Sequence, residues 1–143
     1  MVTLADIYSA IEQTGANLNI WHHPLCDATT IEMNGLYDIF LNPQKCSTIA
    51  DLQTKLIHEY GHCKTGATHH IYSPYQLIAQ NEHKADKCAI EKFLPWAEIK
   101  KAVSNGLTEY WQLAEYFNIN EKFIRQAIHY YKDIKQLTFE CED

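Results

Sequence analysis

The stretch from Thr48 to Gly66 constrains this chain more than any other. Thr48 with Asp51 three residues on is a helix N-terminus signature, Leu52, Leu56, Ile57 and Tyr60 carry the apolar face, and Gly66 supplies a stop. Inside that predicted helix stands His58-Glu59-Tyr60-Gly61-His62, an H-E-x-x-H pattern. Histidines at i and i+4 lie one turn apart on one helix face, so both imidazoles can reach one divalent ion, zinc above all. The glutamate between them is placed to act as general base on water at the ion's open position. A chain this rich in His and Glu carries the pattern by chance roughly 3% of the time, so a second feature has to support it.

That feature is a source for the third protein ligand, the fourth position being left to water. Glu82-His83-Lys84-Ala85-Asp86 falls on the next predicted helix, with Glu82 and Asp86 at i, i+4. One carboxylate can bind the metal while the other accepts the free N–H of a ligating histidine. Glu82 is read as the ligand; without the upstream motif the pair would be read as a solvated polar face. His69, His70 and His83 compete for the same place, but the first two fall in a loop and the third is adjacent to Glu82. His83 is a candidate donor to a transition-state oxyanion and equally readable as a cleft-wall or surface histidine; Tyr72 and Tyr75 are candidate donors too, but read first as packing aromatics.

The remaining segments frame this pair of helices. Thr3 and Asp6 cap an amphipathic helix carrying Leu4, Ile7, Tyr8 and Ile11, expected to end near Gly15. Residues 18–21, 30–33 and 36–41 alternate, and Asn34-Gly35 between the last two is a strong hairpin signal, which together predict a three-stranded, largely antiparallel sheet. Ser73-Pro74 reads as an N-cap followed by proline at the first helical position, opening a helix that runs to Leu94-Pro95. Three shorter helices follow, around 96–103, 110–117 and 123–131. The expectation is one domain over 1–143, with a catalytic core at 1–106, a helical C-terminal subregion at 107–134 and a tail at 135–143.

Composition narrows the function classes. A formal charge of −6, from 12 basic and 18 acidic residues, argues against a protein built to grip nucleic acid. Five cysteines without a C-x-x-C pair suit reduced thiols rather than a disulfide framework or a zinc knuckle. No run of 18 apolar residues is present, and the opening Met-Val-Thr-Leu-Ala-Asp lacks the basic and apolar regions of a leader. A cytoplasmic protein with no membrane contact is expected.

His58-Glu59-Tyr60-Gly61-His62, then Glu82-x-x-Ala85-Asp86-x-x-Ala89, closed by Phe93-Leu94-Pro95, resembles the ImmA/IrrE family of metallopeptidases. Leu113-Ala114-Glu115-Tyr116-Phe117-Asn118-Ile119 looks like a further step of that family's helical C-terminal part, so the resemblance spans nearly the whole chain. Tyr60, Lys84 and Cys88 stand where the family commonly has Leu, Glu and Phe, and none of these is a proposed ligand or base. The resemblance implies an α+β, zincin-like fold, His58, His62 and Glu82 as metal ligands, Glu59 as general base, and Asp86 supporting a ligand. It also implies Zn2+, with Mn2+ or another divalent metal as alternatives. The implied substrate is a helix-turn-helix repressor of a phage or mobile element, encoded nearby.

Two rival readings are weighed against this. Residues 107–132 resemble a helix-turn-helix, but Glu109, Glu115 and Glu121 nearly cancel Lys122, Arg125 and Lys132, so no basic face is expected and DNA contact is disfavoured. The other is a catalytically weak metal-binding regulatory protein acting through its C-terminal helices, and Glu59 speaks against it. Cys63 follows His62 directly but points about 100° away on a helix, so it is read as a buried thiol and not a ligand.

Overall fold

The computed structural model of the chain describes residues 1–22, 27–68 and 73–139. The fold is α+β, as expected. Its elements in chain order are α1 (Leu4–Gln13), β1 (Asn17–Ile20), β2 (Ala28–Met33), β3 (Leu36–Leu41), α2 (Ile49–Thr65), α3 (Tyr75–Phe93), α4 (Trp96–Ser104), α5 (Tyr110–Phe117) and α6 (Glu121–His129). Tyr130–Ile134 extend α6 as a wider π-type turn. Among the described residues no helix is long and apolar enough to cross a membrane.

Local sequence chemistry accounts for most boundaries. Thr3 Oγ1 accepts from the Asp6 amide and Asp6 Oδ2 accepts from the Thr3 amide, each at 3.2 Å, a reciprocal capping box. Thr48 Oγ1 likewise accepts from the Asp51 amide at 3.1 Å and starts α2. Asn34 and Gly35 both take positive φ, 54° and 79°, as a two-residue turn matched to strand twist requires. α3 differs in detail: its N-cap is Pro74, with no side-chain cap bond, and the helix begins at Tyr75 rather than at a proline capped by Ser73.

The sheet corrects the expected strand directions. β2 pairs antiparallel with β3, but β1 pairs parallel with β3, in the order β1-β3-β2. Alternation reports which face a side chain takes and says nothing of strand direction. The order leaves β2 at one edge, where Ala28 and Thr30 stand opposite buried Leu41 and Ile39 and so share the face turned toward α2.

α2 and α3 form the closest helix pair. A Cβ on Gly61 would sit 2.1 Å from the Ala85 carbonyl oxygen and 2.9 Å from its Cα, so only glycine permits this approach. Tyr60 and Phe93 meet edge to face at 5.2 Å beside it. The C-terminal helices belong to the same core: Leu113, Phe117, Ile119, Phe123 and Ile124 join a buried cluster that runs from Val2 to Tyr131. Buried Gln53 on α2 ties the parts together, donating to Val2 O at 3.2 Å and to Asn118 O at 2.8 Å. Thr54 Oγ1 accepts from the Asn120 amide at 3.0 Å.

Gly61→Ala is therefore expected to push α2 off α3, with a stability loss of about 1–3 kcal/mol in denaturant unfolding, the range for overpacked cores. Unchanged stability would show that the helices are free to separate.

Candidate metal centre

α2 carries His58 and His62 on one face, and α3 brings Glu82 across to them. His58 Nε2 lies 2.8 Å from Glu82 Oε2, His62 Nε2 lies 3.2 Å from Glu82 Oε1, and the two Nε2 atoms are 3.1 Å apart. One ligand atom from each of the three residues falls within 4.8 Å of the others, a group that could hold a metal ion. Two imidazole nitrogens and a carboxylate oxygen suit a borderline divalent ion such as zinc.

The other nitrogen of each ring is occupied. His58 Nδ1 donates to Asp86 Oδ1 at 2.7 Å, and His62 Nδ1 donates to the Ala67 carbonyl at 2.6 Å. These bonds select the tautomer that turns Nε2 toward the cluster. The segment after α2 is held in turn by buried Asn81 of α3, whose Nδ2 donates to Thr68 O at 2.8 Å.

Electrostatics follow from the packing. Burial opposes a charge on His58, but hydrogen bonds to Asp86 and Glu82 outweigh it and raise its pKa to about 10. His62 is also raised, burial being outweighed by Glu82 and the Ala67 carbonyl. The two histidines hold the Glu82 carboxyl well below the usual carboxylate range. Burial keeps the Cys63 thiol protonated, pushed up to about 11.

Glu59 is buried, and its Oε2 accepts from Thr30 Oγ1 at 2.5 Å. Both residues line a cleft of about 340 Å³ together with Ala28 and Thr29 of β2, Lys55, His58, His62, Thr68 and Glu82. Lys55 Nζ pairs with Asp27 Oδ2 at 2.8 Å at its rim. A somewhat larger hollow of about 400 Å³ by α1 contains none of these groups, so the chemistry points to the smaller one.

The expected ligands, His58, His62 and Glu82, thus come together, with Asp86 behind His58 and Glu59 beside them. Of the expected oxyanion donors among the described residues, neither His83 nor Tyr75 joins them. His83 lines a separate cavity of about 100 Å³ with His129 and Tyr130, because a residue next to Glu82 on a helix is turned about 100° away. Tyr75 is 84% exposed at the start of α3, and Tyr72, His69 and His70 lie outside the described residues. Sequence reasoning missed Thr30, the Ala67 carbonyl and the Lys55–Asp27 pair. Only Thr30 had a signal, its place on the inward face of an alternating strand. Comparisons with family models, curated proteins and solved structures return no match.

A raised histidine pKa has a definite sign. Stabilisation from protonated His58 is complete below about 6.5, its unfolded value, and is lost as pH rises through about 10. A metal must displace that proton. Zinc binding by chelator-treated protein near pH 7 is expected to release protons, seen calorimetrically as an enthalpy that varies with the buffer. Affinity should rise about tenfold per pH unit for each proton released. His58→Ala, His62→Ala and Glu82→Ala should each lower occupancy, and His83→Ala should not. Binding independent of pH, or full retention in Glu82→Ala, would contradict the assignment.

Proposed function

We propose that the chain is a metal-dependent endopeptidase of the ImmA/IrrE kind, with His58, His62 and Glu82 holding zinc or another divalent metal. The observation that carries this reading is the buried Glu59 side chain in the same cleft as the His58–His62–Glu82 cluster. A metal site that only stabilised a fold has no need of a carboxyl group beside an open coordination position.

When bound, such an ion supplies Lewis-acid chemistry, acidifying water and polarising the scissile carbonyl. Glu59 takes a proton from water as its oxygen adds to the carbonyl carbon, then returns that proton to the amine as the C–N bond breaks. Asp86 and the Ala67 carbonyl keep the two imidazoles oriented throughout. The outer edge of β2 offers backbone groups to an extended chain crossing the cleft, the familiar way in which peptides add to a sheet.

The proposed substrate is one folded or partly folded partner, a helix-turn-helix repressor of a phage or mobile element, met in the cytoplasm. Casein and short peptides are expected to be cut slowly. The C-terminal helices are proposed to pack on the core and touch protein rather than DNA. Arg125 supports this, being paired with Glu121 at 2.7 Å and stacked over Tyr110 at 4.3 Å.

Co-expression of the chain with the repressor-like protein encoded beside it should yield a truncated product. Glu59→Gln is expected to keep its metal while cleavage falls on the order of 10²-fold or more; activity near wild type would end the general-base assignment. Mobility-shift assays at low salt, where phosphate attraction is strongest, should show no sequence-specific retardation of duplex DNA. Tight, sequence-dependent retardation would favour a DNA-contacting regulator instead.

A further inference from the structure

Thr30 does not belong to the metal cluster, yet it touches the one acidic side chain in the cleft assigned to proton transfer. It stands opposite Ile39, whose side chain is fully buried, so it shares the face turned toward α2 and is half-buried in the wall of the cleft. Its hydroxyl donates to Glu59 Oε2 across 29 residues of sequence. Among the described residues no second side chain hydrogen-bonds that carboxyl group.

This matters because the last torsion of a glutamate is broad and roughly two-fold, so an unheld carboxyl group swings. A β-branched side chain on a strand has a restricted χ1, which makes threonine a stiff holder. The hydroxyl also sits on the edge strand that lines the cleft with Ala28 and Thr29.

We propose that Thr30 is a positioning residue: its hydroxyl holds Glu59 Oε2, leaves Oε1 for proton transfer, and couples the aim of the base to the placement of β2. The functional half of this rests on the peptidase reading; the holding of Glu59 does not.

The test compares zinc-loaded Thr30→Val, which keeps shape and removes the hydroxyl, with Thr30→Ser, which keeps the hydroxyl. Fluorescently labelled casein is the probe for kcat and KM. Thr30→Val should retain zinc and lose about tenfold to a hundredfold in kcat with KM nearly unchanged, and Thr30→Ser should recover most of that loss. A second readout needs no turnover: the side-chain carboxyl 13C resonance of Glu59, assigned by its disappearance in Glu59→Gln, should move in Thr30→Val and stay in Thr30→Ser. Wild-type kcat in Thr30→Val, or equal impairment of both variants with zinc retained, would overturn the proposal. Should Thr30→Val fail to fold, Thr30→Ala takes its place in both readouts. If wild type cuts neither casein nor any partner, the peptidase reading fails, and an unmoved resonance in Thr30→Val would then overturn the positioning role as well.

Discussion

At Gly61 the backbones of α2 and α3 come so close that a single methyl group would strike the Ala85 carbonyl. Gly61 immediately precedes His62, and Ala85 immediately precedes Asp86 and lies three residues after Glu82, so the contact sits inside the cluster it creates. Packed helices ordinarily stand about 8–10 Å apart, with larger side chains between them. Removing the side chain at the crossing lets a glutamate on one helix reach two imidazoles on the other. Ligands to one zinc must come within roughly 2.0–2.2 Å of it, so a small separation of the helices would cost the site more than it would cost the core.

Gathering two imidazoles with the carboxyl groups of Glu59, Glu82 and Asp86 around a half-buried cleft is stable only when each polar atom has a partner. Here the arrangement meets that demand on both sides of each ring, with Asp86 and the Ala67 carbonyl behind the histidines and Glu82 in front. The same helix face order keeps Cys63 out of the cluster and buried. Further up α2, Gln53 and Thr54 fasten the chain's first residues and the turn between α5 and α6 to that helix. The C-terminal helices are thus part of what holds α2 in place.

Features governed by local chemistry were legible in the sequence. The caps at Thr3 and Thr48, the Asn34-Gly35 turn and the helical spacing of His58 and His62 each depend on a few neighbouring residues, and each is found as read. The approach of Glu82 and Asp86 to the two histidines was legible because one helical spacing places two carboxylates on the face that an H-E-x-x-H helix would call on. The parallel pairing of β1 was not, since it depends on how the chain crosses between sheet edges and not on the strand's own alternation. Nor was Thr30, because its partner Glu59 is distant in sequence and an inward-facing threonine on a strand is commonplace. His83 and Glu82 line different cavities because a helix turns consecutive side chains apart.

The central claim is that two histidines and one glutamate from two helices meet at one ion, with a position left open. X-ray absorption at the zinc edge of the zinc-loaded protein tests it most directly. The account predicts a first shell of nitrogen and oxygen only, near 2.0–2.1 Å, with the outer scattering of two imidazoles. A sulfur neighbour near 2.3 Å, as from Cys63, or the signature of a single imidazole would contradict it.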